Sequence, residues 1–254
     1  MYKKPQRKTF MSPSEKEARI QLAACYRIFD YLGWDELIYN HITLKLPEVE
    51  EQFLINPYGL HYSEVKASNL VKVDINGNVL DETPYKANPA GMVIHSAIHQ
   101  ARSDMHCIAH LHTHAGMAVA CQKDGLRYDN FYSVLLHNQV AYHDFEGLTV
   151  NDEEKSRLVS NLGNKNHLIL RNHGLLSGGR SVKEMFVNMW LLQRSCEIQV
   201  ASDSTGKQSI PIALEIAQKS EALLKIQMSG VEQGELEFNA MVRKIDAIDS
   251  SYKD

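Results

Sequence analysis

The chain has 254 residues, with 27 lysines and arginines against 31 acids, a formal net charge of -4, and 44% apolar residues. That length holds one large domain or two small ones, with enough core to fold unaided, and the mixed charge offers no field to hold nucleic acid or an anionic membrane surface. No apolar run approaches the roughly 20 residues needed to span a bilayer.

The basic start "MYKKPQRKTF" has no apolar stretch behind it and does not read as a secretory signal. Residues 1–12 are expected to form a disordered leader, and residues 13–254 one domain with C-terminal helices from about residue 181. In "SPSEKEARIQLAACYRIFDYLG", Ser12 is a predicted N-cap, Pro13 suits the first helical position and Glu15 completes a capping box. Leu22, Cys25, Tyr26 and Phe29 follow at helical spacing, and Gly33 is a natural stop. Strand-like pieces come next: "LIYNHITLKL", "EQFLINP" and "NLVKVD", the last expected to turn back into "INGNVL" at Asn76-Gly77 as a hairpin.

A helix is predicted over "MVIHSAIHQAR", a strand over "MHCIAHLH", a further helical turn over "AGMAVACQ" and an irregular stretch to about Gly147. Asn151 to about Leu162 reads as a helix, "HLILR" as a buried strand and "NHGLLSGG" as a turn-rich link. Three helical patterns close the chain: "SVKEMFVNMWLLQRSCEIQVAS", "IALEIAQKSEALLKIQ" and "ELEFNAMVRKIDAI". The interleaving of strands and helices argues for one α/β domain, a sheet covered by helices. The terminal helices are available to pack on a neighbouring subunit. Cys25, Cys107, Cys121 and Cys196 show no C-x-x-C spacing and read as reduced, mostly buried thiols of a cytoplasmic protein.

In "CIAHLHTHAG", side-chain alternation along a strand sets His110 and His112 on one face, about 7 Å apart along it, a spacing that lets both imidazoles reach one ion. His173, between an apolar strand and glycines, is a candidate third ligand at a strand end. Three protein ligands would leave coordination positions open, as a catalytic metal requires. His95 and His99, one helical turn apart, read as packed, hydrogen-bonded histidines rather than a second metal pair.

"NPAGMVIHSAIHQARSDMHCIAHLHTHAGMAVA", "NQVAYHDFEG" and "LILRNHGLLSGG" together resemble the class II aldolase/adducin family, from about residue 15 to residue 200; "NHIT" and "INPYG" fall where that family has early loop motifs. The resemblance implies a central, mainly antiparallel sheet with helices on both sides, a homotetramer, and active sites between subunits. It assigns the metal ligands to His110, His112 and His173, leaves His114 just beyond the pair, and implies a divalent metal, most often zinc. Asn40, Tyr58 and Gly59 match substrate-loop positions, and Tyr132, with Tyr128 nearby, the region of a proton-donating tyrosine. His143 resembles a feature near the site, and Arg171 is a candidate carboxylate clamp.

The aldolases of the family carry a glutamate nineteen residues before the first metal histidine, preceded by two serines; here Pro89-Ala90-Gly91 stands there. The local pattern is closer to adducin head domains and their bacterial relatives. Two functions are therefore expected. One is a metal-dependent lyase, of aldolase or decarboxylase type, on a small non-phosphorylated hydroxy- or oxo-acid. The other is a non-catalytic, adducin-like metal-binding or assembly module.

Overall fold

The computed structural model describes residues 11–49, 51–147, 152–227 and 232–254. Most of the expected leader, residues 1–10, lies outside them. Helix α1 spans Pro13–Tyr31; the Ser12 hydroxyl accepts from the Glu15 amide at 3.1 Å, while the Glu15 carboxylate pairs with Arg19 and Lys72. Seven strands follow: β1 (His41–Lys45), β2 (Gln52–Ile55), β3 (Val71–Asp74), β4 (Cys107–Leu111), β5 (Val140–His143), β6 (His167–Leu170) and β7 (Gly174–Gly179). The helices between and after them are α2 (Pro89–Ala101), α3 (His114–Ala120), α4 (Asp152–Leu162), α5 (Val182–Asp203), α6 (Leu214–Gln227) and α7 (Glu235–Asp246).

The strands form one sheet in the order β3-β2-β1-β4-β7-β6-β5, antiparallel except where β5 pairs with β6. Alternation along β4 divides the two cores. Cys107, Ala109 and Leu111 join Leu22, Phe29, Met185 and Phe186 beneath α1 and α5, whereas Ile108 packs with Ile94, Ile98 and Leu158 of α2 and α4. Helices thus cover both faces of the sheet, and His110 falls on the α2 side, directly opposite His41 in the register of β1 and β4.

Three local expectations change. The glycine-rich "GLLSGG" is strand β7 between β4 and β6, with every residue buried. Glycine weakens a strand locally, but here it admits close neighbours, with Glu184 and Met185 lying against Gly179. The irregular stretch before Gly147 contains edge strand β5. The expected Asn76-Gly77 hairpin is short: one bridge joins Val73 to Val79, the Leu80 amide donates to the Lys72 carbonyl, and the Asp74 carboxylate accepts from the Asn76 and Asn78 amides at the turn. Helix α7 packs on its own chain through Phe238 and Ile245. Cys25, Cys107 and Cys196 are buried free thiols, and Cys121 is an exposed one. Among the described residues no helix is long and apolar enough to cross a membrane.

Candidate metal centre

Strand β4 ends at Leu111, where Thr113 caps α3: its hydroxyl accepts from the Gly116 amide and donates to Gln193 on α5 at 2.6 Å. The chain therefore leaves the sheet in a fixed direction right after His112. His173 arrives from the other side on the short turn joining β6 to β7. Asn172 adopts a left-handed conformation there (φ 57), and its amide donates to Ala120. Gly174 lets this turn sit against β4: a Cβ built on it would overlap the Leu111 carbonyl oxygen and come within 3.1 Å of the His112 ring.

The three imidazoles converge. His110 Nε2 lies 2.8 Å from His112 Nε2 and 3.2 Å from His173 Nε2. On the far edge of its ring, His110 Nδ1 lies 3.0 Å from the Leu175 carbonyl oxygen. A carbonyl only accepts, so Nδ1 carries the proton and Nε2 turns a bare lone pair toward its neighbours. Burial, and then the neighbouring imidazoles, hold His110 well below the ordinary histidine range. Burial likewise pushes His112 down to about 4 and lowers His173. Three neutral nitrogen donors on one point, one with its tautomer fixed by a backbone acceptor, suit a divalent cation such as zinc. Asp30, Asp35 and His61 also lie close enough to hold an ion, but both His61 nitrogens face the two carboxylates.

The cluster opens into a cavity of about 720 Å³ lined also by Glu36, Tyr58, Asn88, His114, Met117 and Phe145. Tyr58 is at the cavity as expected, and His114 lines it without joining the cluster. Gly59 is not among the lining residues; it lies next to Tyr58 with a left-handed φ of 101°. Asn40 is buried with both amide atoms engaged: Oδ1 accepts from the His112 amide at 2.9 Å, and Nδ2 donates to the Trp34 carbonyl at 2.9 Å. In this structure it holds His112 in place rather than reaching the cavity. Tyr132 does not line the cavity, and its ring stands edge-on against Trp190. Tyr128 packs against His137. Arg171 donates to the Gln122 and Lys123 carbonyls and lies over the Tyr142 ring, a structural role. His143 is buried between Asn161 and Glu154, away from the cluster.

One cavity residue has no local mark in the sequence. His41, from β1, is 3% exposed and lines the cavity, its ring centroid 5.2 Å from that of His110. A strand carrying alternate polar residues, His41 and Thr43, opposite a helix with His95 and His99 is the pattern that could have found it.

Buried neutral histidines also set the acid limit of the fold. Burial pushes His99 down to about 3 and His167 to about 4, against an unfolded value near 6.5. A lowered folded pKa means the unfolded chain binds more protons between those values. The stability tied to these two rings is therefore fully present above about pH 6.5 and is lost as pH falls toward 4. Urea denaturation of the metal-free protein should show a lower midpoint at pH 5 than at pH 7, with unfolding taking up about two protons from these two residues. A midpoint unchanged over that interval would contradict the burial of these two rings as neutral groups.

The family described as class II aldolase and adducin N-terminal domain matches residues 20–200. A putative aldolase class 2 protein of Caulobacter vibrioides is 45% identical over 244 residues, covering 96% of this chain and 95% of that protein. Alpha-adducin of Rattus norvegicus is 44% identical over 245 residues, which are 91% of this chain but 33% of the adducin. The crystal structure of an aldolase II superfamily protein from Pseudomonas syringae superposes with a TM-score of 0.91 at 41% identity, covering 96% of this chain and 97% of that one.

Proposed function

The chain belongs to the class II aldolase and adducin family, and from that footing we propose that it is a metal-dependent carbon–carbon lyase, of aldolase or decarboxylase type, acting on a small non-phosphorylated hydroxy- or oxo-acid. The observation that carries this reading is the convergence of His110, His112 and His173 at the head of an open cavity. A divalent cation, which we take to be zinc, would act there as a Lewis acid toward a carbonyl or hydroxyl oxygen.

The residues of the chain do the rest. Leu175 and Asn40 fix two of the three ligands, so the donor set is formed in advance. The cavity volume suits a small molecule. Its described lining includes Glu36 and neither lysine nor arginine, which disfavours a phosphate. With glycine at position 91, no carboxylate is available there to take a proton from carbon. Reactions in which the electrons come from a breaking C–C bond suit this site better than those that begin by deprotonation. We further propose a cytoplasmic homotetramer, with Tyr132 reaching a site only across a contact between copies.

A second reading, a non-catalytic adducin-like module, is favoured by Gly91 and by the likeness to alpha-adducin. Elemental analysis of the purified protein, followed by a screen for retro-aldol cleavage and decarboxylation of unphosphorylated hydroxy- and oxo-acids, tests the two. Bound zinc with turnover is the expected result. Protein without metal overturns the metal centre, and metal without turnover favours the module.

A further inference from the structure

Behind the metal centre a row of buried polar groups runs from β1 to α2. His99 Nδ1 lies 2.9 Å from the Met105 carbonyl oxygen, His99 Nε2 lies 2.8 Å from Thr43 Oγ1, and Thr43 Oγ1 lies 2.7 Å from His95 Nδ1. The direction of every hydrogen bond follows from its end. The Met105 carbonyl can only accept, so His99 carries its proton on Nδ1 and offers a bare Nε2. Thr43 must then donate to His99, which leaves its oxygen as an acceptor and requires the proton of His95 on Nδ1. His95 is left with a bare Nε2, fully buried and without a hydrogen-bond partner.

Such an orphan is destabilising unless a donor reaches it. The ring of His41 stands 4.5 Å away, centroid to centroid and edge-on, and its Nδ1 is a second buried nitrogen without a partner. A ring rotation that aimed the His41 Nδ1–H at His95 Nε2 would satisfy both atoms together. His41 would then hold a bare lone pair on Nε2. Gly91 determines what surrounds that edge: a Cβ at position 91 would lie 2.8 Å from both Cδ2 and Nε2 of His41. The imidazole in this position and any side chain at residue 91 are mutually exclusive, and glycine keeps the Cδ2–Nε2 edge clear of a side chain, on a ring that itself lines the cavity.

We propose that His41 is the hydrogen-bond acceptor for the hydroxyl of a hydroxy-acid held at the three-histidine centre, with Thr43, His95 and His99 as positioning residues that fix its orientation. This rests on the reading of the site as a hydroxy-acid lyase centre and names the group that recognises the substrate there. The network sorts ligands by polarity: an acceptor at Nε2 favours a hydroxyl over a keto oxygen at that position. It also explains a glycine that catalysis alone would not require.

Neutron diffraction from crystals of the purified protein reads the relay directly. Protons on Nδ1 of His41, His95 and His99, with none on their Nε2 atoms, are expected; a proton on Nε2 of His41 or His95 overturns the proposal. Calorimetric titration of glycolate into the zinc-loaded protein reads the contact. His41→Asn keeps an amide donor near the Nδ1 position and deletes Nε2. It should weaken glycolate binding about tenfold, the loss of roughly one hydrogen bond, with zinc content unchanged. Thr43→Val should weaken it similarly and Thr43→Ser should restore it, which a role in packing alone would not produce. Equal affinity for wild type and His41→Asn overturns the proposal while leaving the lyase reading intact. A zinc-loaded wild type that binds no glycolate overturns the hydroxy-acid reading and this inference with it.

Discussion

Replacing His110 with alanine is expected to lower metal affinity by more than about 100-fold, since loss of a group that merely supports a ligand already costs about 10–100-fold. His110 is the middle of the cluster, with both other Nε2 atoms within 3.2 Å of its own. The two donors that remain, one after β4 and one on the β6–β7 turn, would leave an ion with fewer protein ligands than a catalytic zinc site supplies. The stabilisation conferred by bound metal should vanish with the affinity, because it scales as the logarithm of metal concentration over the dissociation constant. A competition titration against a zinc chelator measures the first effect, and melting with and without added zinc the second. His114→Ala is the control: its ring lines the same cavity but lies outside the cluster, so zinc affinity should be retained. Equal loss in both variants would mean that the ligand set is wrong.

Gly174→Ala should be the most damaging single methyl group in the site. The added Cβ would overlap the Leu111 carbonyl oxygen, a backbone atom at the end of the β4–β7 pairing, where Leu111 is opposite Leu175. A flexible side chain could turn away from such a clash; two paired strands can only separate. The expected cost is about 3 kcal/mol, at the upper end for an overpacked interior position, or a fall in melting temperature of roughly 10 °C for a domain of this size. Separating β7 from β4 also withdraws the Leu175 acceptor from His110 and moves His173, so zinc affinity should fall in the same variant. Thermal melting and zinc titration check the two effects together. A variant as stable as wild type would show that the close approach is not needed.

Helix α1 and the convergence of His110 with His112 were legible because their signals are local. Ser12 and Pro13 mark a helix start, and H-x-H places two imidazoles on one strand face by period alone. Strand β7 was not legible, since Gly174, Ser177, Gly178 and Gly179 carry turn chemistry, and only close packing against β4, β6 and α5 makes them a strand. His41 was harder to read for a different reason. Its alternation with Thr43 marks a polar strand face but no function; its meaning comes from the register that sets it opposite His110 and from the helix that brings His95 against it. Asn40 pointed the other way. Its motif position suggested a substrate contact, whereas burial shows its amide already engaged with Trp34 and His112.

The pairing of β4 with β1 on one side and β7 on the other fixes when the centre can exist during synthesis. His110 and His173 are 63 residues apart, and the Asn40 amide that steadies His112 lies 72 residues before it. Contacts of such range form late, after the cost of closing long loops has been met. A nascent chain that has left the ribosome only as far as α4 holds two ligands and no site. On the proposed metal reading, the ion would be captured by a sheet that is already assembled, as a late passenger on the folding route rather than its nucleus.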